Sequence, residues 1–372
     1  MSNIEKCDKI VSDNFIDTII ANARKELSMI DKQEWEVPLY SKNQINKAGK
    51  IFVSADSTQE EKEQALTIIN NWRASHAYPL QVICSNLRRS YPNAIVVQRL
   101  KRLESITGKI ERFPDIQLYK MQDLGGCRVI VDSIDQVYST AEKYKKSRIR
   151  HIYKRDYDYI ENPKKSGYRS YHAVYQFHSD AKETYNRNML IEIQFRTKLQ
   201  HIWATAVETM GIYTKSNLKS SQGDENILRF FVLVSSLFAI EEKCPTCPNT
   251  PSTIDELVKE IKDLDSKYKI TSTLSGLKVA INHTQKKNDQ KKNTYYVLIL
   301  NYQKRMMSIK SFNAADIAEA TYIYNKIEEE TNNANINVVL VSADSFNNLR
   351  AAYPNYFVDI SQFIEKVDKY IN

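Results

Sequence analysis

Glycine and proline are scarce in this chain, with 8 and 9 among 372 residues, and that argues against long flexible linkers. Apolar runs are short as well: none approaches the roughly eighteen residues that a membrane-crossing helix needs. The opening segment, MSNIEKCDKIVSDNF, has no apolar stretch of signal-peptide length. A cytoplasmic location with no membrane partner is therefore expected. Cysteine is sparse, and its count of 5, at positions 7, 84, 127, 244 and 247, forms no even disulfide framework. Cys127 lies in an apolar run and reads as a small buried hydrophobe. Cys244 and Cys247, in EKCPTCPNTP, have zinc-knuckle spacing, but no second such pair follows and His283 is the only downstream histidine. A tetrahedral site needs four ligands, so a Pro-rich turn is the reading of that segment.

What is present is ordinary globular material, 42% hydrophobic and 26% charged, in a chain long enough for two cores. The net charge is +8. Much of it falls in one stretch, where Lys143, Lys145, Lys146, Arg148, Arg150, Lys154 and Arg155 are interleaved with Tyr144, Tyr153, Tyr157 and Tyr159. Such a mixture suits RNA, through phosphate attraction and base stacking; it equally suits attraction of a nucleotide, or solubility alone.

Residues 1–90 read as mostly helical. Asn14 to Ile30 carries apolar residues at helical spacing, and Thr58 with Glu61 three residues on is a capping box ahead of a helix running to His76. A sheet region spans 91–215, with strands expected near Leu124 to Asp132, Tyr168 to His178 and Met189 to Thr197, then a helix over Gln200 to Met210. Residues 216–250 hold an apolar helix, Ile227 to Glu242, and the Pro-rich turn. Residues 251–372 read as a separate small α+β unit: a helical stretch over Leu257 to Thr273, a hairpin of Tyr295 to Tyr302 with Arg305 to Phe312, a helix over Ala314 to Glu330, a β-branched strand over Ile336 to Ala343 and a last helix over Ile360 to Ile371. No internal repeat is visible.

The chemistry concentrates in two segments, KKSGYRSYH from Lys164 to His172 and IEIQFRT from Ile191 to Thr197. Side chains alternate along a strand, so Glu192, Gln194 and Arg196 share one face while Ile191, Ile193 and Phe195 share the other. Upstream, in MQDLGGCRVIVDS, Asp123 precedes two glycines and a buried strand. A carboxylate there can meet Glu192 and bind Mg2+, which takes one or two carboxylates together with substrate phosphates. In VVQRLKRLESITGKIERF, Arg99, Lys101 and Lys109 recur along an expected helix and its end. Alone they are a solvated helix face; beside two metal-binding carboxylates they suit a polyphosphate.

In this order, RLKRLESITGK, DLGGCRVI, DYIENPKKSGYRSYH and EIQFRTKLQHIWA, within Tyr91 to Lys215, resemble the synthetase domain of the RelA/SpoT family. Its members are alarmone synthetases that move pyrophosphate from ATP to a ribose 3′-hydroxyl. The resemblance implies an α/β (α+β) fold, a nucleotidyltransferase-like mixed sheet flanked by helices, with the smaller α+β unit appended. It implies that Arg99, Lys101 and Lys109 hold the ATP phosphates and that Asp123 and Glu192 hold Mg2+ at the catalytic centre. Tyr168 would stack on the acceptor base, with Lys164, Arg169 and His172 near the acceptor's phosphates and ribose. Arg128 and Gln194 take supporting roles, and Glu192 is also a candidate to receive the hydroxyl proton. Trp203 reads as a core anchor instead.

The N-terminal region shows no HD-type metal pair of a hydrolase domain. The C-terminal unit, through NLRAAYPNYF, resembles the fused toxin-antitoxin (CapRel-type) branch, in which a YxxY motif blocks the ATP adenine pocket. Here that motif is Tyr353 and Tyr356; a core-packing loop is the structural alternative. Two acceptors fit the same site, the 3′ end of tRNA or GDP/GTP, the latter giving (p)ppGpp. The basic-aromatic stretch and the inhibitor-like unit favour tRNA, and Ser166 before Gly167 permits it. A sensor role, with a phage protein as trigger at the C-terminal unit, is the third expectation.

Overall fold

The first helices are written in local signals. In the computed structural model, which describes residues 13–27, 35–214, 218, 223–276, 280–283, 294–301, 304, 306–331, 336–343, 345–353 and 360–371, Thr58 and Glu61 form the expected capping box. Thr58 Oγ1 accepts from the Glu61 amide at 3.2 Å, and Glu61 Oε2 accepts from the Thr58 amide at 2.8 Å. That box opens α3 (Gln59–Ala74), which follows α1 (Asp13–Leu27) and α2 (Lys42–Val53) and precedes α4 (Ala77–Ser90).

The sheet region then runs β1 (Ile95–Leu100), α5 (Leu103–Arg112), β2 (Gly125–Val131), α6 (Ile134–Lys146), β3 (Ile152–Asp158), β4 (Tyr171–Gln176), β5 (Leu190–Thr197) and α7 (Lys198–Tyr213). Next come α8 (Glu225–Glu241), α9 (Ile254–Tyr268), α10 (Ile270–Gly276), β6 (Ala280–His283), β7 (Thr294–Asn301), β8 (Met306–Phe312), α11 (Ile317–Glu330), β9 (Ile336–Ala343), α12 (Phe346–Ala352) and α13 (Ser361–Ile371).

Among the described residues the strands make one nine-stranded mixed sheet in the order β3-β4-β5-β2-β1-β9-β7-β8-β6. The C-terminal strands, read from the sequence as a separate unit, thus continue the first five. The join is short: β1 meets β9 through Gln98 opposite Ser342 and Arg99 opposite Val341. Side chains reinforce it, with Arg88 Nη2 donating to the Ser342 carbonyl at 3.3 Å and the Tyr295 hydroxyl donating to Gln81 Oε1 at 2.6 Å.

Alternation along the strands sorts the two faces. Ile191, Ile193 and Phe195 of β5 are all 0% exposed and pack with Cys127 and Val129 against α3, α4 and α6. A second cluster joins α7, α8, α9 and α13 around Phe230, Phe231, Leu237 and Phe363. In the C-terminal half, Tyr295, Val297, Ile299, Val338 and Leu340 meet α1 and α11 on one face. On the other face Tyr296, Leu298, Val339 and Val341 lie under α12. Each such buried side chain contributes about 1.5–3 kcal/mol.

Three boundaries differ from the sequence reading. The segment from Val96 onward begins as strand β1, because the β-branched Val96 and Val97 are buried on opposite faces of the sheet; the helix starts only at Leu103. Tyr168 to Ser170 follow the turn at Lys165 and Ser166 and lie outside any strand, and the strand begins at Tyr171. The helical stretch over Leu257 to Thr273 breaks at Lys269, whose φ of 54° is left-handed and ends α9.

Candidate active site

Parallel pairing of β2 with β5 sets Gly126 beside Glu192, Arg128 beside Gln194 and Ile130 beside Arg196. Antiparallel pairing of β4 with β5 sets His172 beside Gln194. All of these lie on the face opposite the Ile191, Ile193 and Phe195 core, so one register assembles the polar groups. Gly125 has to lack a side chain, since a Cβ there would sit 2.7 Å from Ile191 Cδ1. The turn before β4 is fixed by Gly167, whose φ is +85° and where a Cβ would lie 2.9 Å from Trp203 Cζ2. Trp203 is a core anchor, donating to the Phe231 carbonyl at 2.8 Å.

The side chains close a ring. His172 Nδ1 is 3.0 Å from Glu192 Oε1, and Gln194 Nε2 donates to Glu192 Oε2 at 2.6 Å. Arg196 Nη2 donates to Gln194 Oε1 at 2.6 Å and to the Tyr168 hydroxyl at 3.0 Å. That hydroxyl lies 2.8 Å from His172 Nε2, which completes the circuit. Burial alone would keep His172 neutral, but the Tyr168 oxygen and the Glu192 carboxylate outweigh it and push the imidazole up to about 9. For Glu192 burial opposes ionisation, and the His172 charge with the His172 and Gln194 hydrogen bonds overcomes it, holding the carboxyl far below its usual range. Glu192 is therefore locked as an anion.

Asp123 stands just before β2, bridged by two ammonium groups: Lys101 Nζ at 2.7 Å from Oδ2 and Lys109 Nζ at 3.1 Å from Oδ1. Burial raises its proton affinity and the two lysines more than cancel that, while the Glu192 charge reaches it and acts in the opposite sense. Burial also pulls Lys101 below its ordinary range, against the hold of Asp123. Arg99, on β1, pairs with Gly126 and Val341, and its charge acts on both Lys101 and Arg128. The sequence-predicted phosphate and metal residues are thus gathered on neighbouring elements: Arg99 on β1, Lys101 in the following turn, Lys109 on α5, Asp123 before β2 and Glu192 on β5.

Asp123 and Glu192 are the carboxylates that would hold Mg2+, displacing the lysine, histidine and glutamine groups that pair with their oxygens here. Both are ionised, the charge of one is felt at the other, and such an ion takes one or two carboxylates with substrate oxygens completing its shell. Among the described residues no three or more His, Cys, Asp or Glu side chains gather into a self-sufficient metal cage. The remaining ligands would have to come from the substrate phosphates.

The acceptor residues separate. His172 is in the ring, and Tyr168 is 8% exposed, its hydroxyl tied by His172 and Arg196. Lys164 is exposed, its Nζ 4.2 Å from the Tyr159 ring centroid and 5.2 Å from that of Tyr168. Tyr159 is half-buried and meets His172 edge-on with centroids 5.1 Å apart. Arg169 corrects the sequence reading: it is 3% exposed and turned toward α8, donating to Ser235 Oγ at 3.1 Å, the Ile160 carbonyl at 3.0 Å and Cys247 Sγ at 3.5 Å. Its neighbour Tyr168 faces the ring, so Arg169 is left for the opposite side of the turn. Arg196 was visible in the sequence only as part of the polar face; the ring gives it the role of fixing Tyr168.

The C-terminal half reaches this face. Arg128 Nη1 donates to the Ala352 carbonyl at 2.9 Å, and its guanidinium carbon lies 5.6 Å from the Tyr353 ring centroid. The Tyr353 hydroxyl donates to the Gln98 carbonyl at 2.9 Å, and His201 Nε2 is 3.0 Å from the Ala351 carbonyl oxygen. Burial and the neighbouring Arg196 bring Arg128 down to about 10. Tyr353 is 2% exposed; Tyr356 lies outside the described residues.

Comparison with known proteins matches residues 98–218 to the family described as a region found in RelA / SpoT proteins. The chain is similar to the GTP pyrophosphokinase YjbM of Bacillus subtilis (strain 168), with 31% identity over 132 residues, 34% of this chain and 60% of that protein. It thus spans about 60% of the length of the curated relative it matches. Among solved structures, a GTP pyrophosphokinase family protein from Streptococcus pneumoniae has a TM-score of 0.39 and 24% identity, over 50% of this chain and 91% of that one. The small alarmone synthetase 1 of Bacillus subtilis bound to its product pppGpp has a TM-score of 0.39 and 23% identity, over 46% and 89% of the two chains.

Proposed function

We propose that this chain, which belongs through residues 98–218 to the RelA/SpoT family, moves the pyrophosphate of ATP onto a 3′-hydroxyl at the end of tRNA, and that its C-terminal half holds this activity in check. The observation that carries the reaction is the Lys101–Asp123–Lys109 bridge standing beside the ionised Glu192. The acceptor 3′-oxygen attacks the β-phosphorus while its hydroxyl proton passes to solvent water, the bond from the β-phosphorus to the oxygen it shares with the α-phosphate breaks, and AMP leaves with that oxygen. Arg99, Lys101 and Lys109 bind the phosphates and offset the charge that develops on them. Asp123 and Glu192 would hold Mg2+, which when bound neutralises phosphate charge. A carboxylate as stabilised as Glu192 is a poor proton acceptor, so its part is holding charge in place rather than taking the hydroxyl proton.

His172, tied to Glu192 and edge-on to Tyr159, fixes the acceptor side of the site. Support for a tRNA acceptor comes from the basic stretch: Lys143, Lys145, Lys146, Arg148, Arg150, Lys154 and Arg155 are all exposed at the end of α6 and along the edge strand β3. A guanine nucleotide is the second reading, favoured by the similarity to a Bacillus subtilis protein named as a GTP pyrophosphokinase. Restraint is read from Tyr353, whose ring centroid lies 5.6 Å from the Arg128 guanidinium carbon, so that the ring and not a nucleotide base is the aromatic partner of that cation. A partner that takes α12 off Arg128 would release the enzyme, and a phage protein is the class we propose.

The test incubates the full chain, wild type and Tyr353→Ala, with γ-labelled ATP and either deacylated tRNA or GDP. Label in tRNA, greater for the variant, is expected. Label only in guanine nucleotide overturns the acceptor, and no label in either with the variant overturns the reaction.

A further inference from the structure

The helix that brings Lys109 to Asp123 begins without a cap of its own. A helix start leaves amide donors unpaired, and Arg102, the residue flanking α5, makes no side-chain cap hydrogen bond. The acceptor comes from 225 residues away: the Leu103 amide donates to Glu328 Oε1 at 2.8 Å. The other oxygen of Glu328 pairs with Arg73 Nη1. Arg73 is 1% exposed. Its guanidinium also donates to Asn70 Oδ1 at 2.9 Å, Asn325 Oδ1 at 2.8 Å and the Tyr324 hydroxyl at 3.2 Å. One carboxylate therefore ties the ends of α3 and α11 to the start of α5.

The sequence of α11 is costly unless this tie matters. Glu328, Glu329 and Glu330 close the helix with three carboxylates, and its last turn has no basic residue. That is the end where the helix dipole disfavours negative charge. Local preference is broken, and the compensation lies in Arg73 and in the positive end of α5. From Leu103 the same helix runs less than two turns to Lys109, which holds Asp123 Oδ1 at 3.1 Å.

We propose that Glu328 is a positioning residue for the triphosphate site: by capping α5 it holds Lys109 at the phosphate-binding position, so the C-terminal half both covers the site and completes it. The proposal rests on the reading of that site as one for ATP.

The test uses the full chain carrying Tyr353→Ala, so that α12 does not compete, and a non-hydrolysable ATP analogue in titration calorimetry. Hydrogen exchange is followed in parallel at the first turn of α5. Glu328→Ala should weaken analogue binding by about five- to tenfold and speed exchange at Leu103 to Ser105. Adding Arg102→Ser, which supplies a cap from the helix's own flank, should restore most of the binding while the thermal midpoint stays low, since Arg73 still lacks its partner. Glu328→Gln keeps an acceptor for Leu103 and should bind within about twofold of the parent; it serves where the alanine variant does not fold. Unchanged exchange at α5, a glutamine variant as weak as alanine, or binding that Arg102→Ser fails to restore overturns the proposal. A parent protein that binds no analogue overturns the reading of the ATP site, while exchange at α5 still decides the cap.

Discussion

One sheet carries two surfaces of opposite kind. On the face that presents His172, Arg128, Glu192, Gln194 and Arg196 over β4, β2 and β5, the strands β9, β7 and β8 present Val339, Val341, Tyr296, Leu298, Met307 and Ile309. The first group is held by charge and hydrogen bonds, the second by burial under α12. The backbone ladder is continuous through both, so the difference is written in side chains alone. A sheet face becomes a site where charged groups pair with one another and a core where the side chains are aliphatic or aromatic. At the boundary, Arg128 and Tyr353 belong to both surfaces, and that is where the proposed restraint would act.

The largest break in this comparison is Glu192→Gln. Removing its charge leaves the buried His172 without its anion and takes one of two candidate metal carboxylates, so pyrophosphate transfer should fall by roughly a thousandfold or more. Circular dichroism should show the fold retained, because the apolar half is untouched. Transfer at wild-type rate in the purified variant would remove Glu192 from the mechanism.

Two substitutions across the boundary sharpen it further. Leu298 is 0% exposed in the apolar half; Leu298→Ala should cost about 2–5 kcal/mol of stability in denaturant titrations, with transfer by the folded fraction unchanged. Tyr353→Ala should cost a comparable amount, about 3–5 kcal/mol for a large buried aromatic, and raise transfer. A stability loss without a rise in transfer would make Tyr353 a packing residue only.

The polar half predicts a pH dependence. His172 is raised from 6.5 to about 9, so its pairing stabilises the fold fully below 6.5 and loses that contribution as pH rises through about 9. Glu192 is lowered from 4.5, so its share is present above 4.5 and lost only on further acidification. The pair is at full strength between 4.5 and 6.5. Stability measured from about pH 6.5 to 9.5 should fall by on the order of 2–3 kcal/mol, and Glu192→Gln should flatten that slope. A parallel decline in the variant would assign it to other groups.

Sequence legibility followed the distance over which each feature is decided. The Thr58 and Glu61 capping box and the period-two face of Glu192, Gln194 and Arg196 are decided within a few residues, and both could be read directly. Val96 to Leu100 reads as the start of one helix that carries Arg99, Lys101 and Lys109; burial between β2 and β9 made it a strand. Arg169 is expected near the acceptor on the family resemblance alone, but its guanidinium bonds Ser235 on α8 while the Tyr168 hydroxyl bonds Arg196 in the ring. The union of both halves in one sheet, and the tie from Glu328 to Arg73 and Leu103, depend on pairs separated by 225 residues or more, with no local trace beyond three glutamates at an unfavourable helix end.

The smallest effect concerns the edge opposite the apolar half. Lys154 and Arg155 are exposed on β3, next to the strand that carries His172, and neither reaches the Glu192 ring. If a nucleic-acid backbone runs along this edge, each lost phosphate contact should lower the salt slope of binding by about one. Lys154→Ala with Arg155→Ala should then reduce labelling of tRNA severalfold at physiological salt and leave the rate with GDP as acceptor unchanged. On the proposed reading a single nucleotide brings no nucleic-acid backbone to this edge, so equal loss with both acceptors would assign these cations to general attraction of ATP.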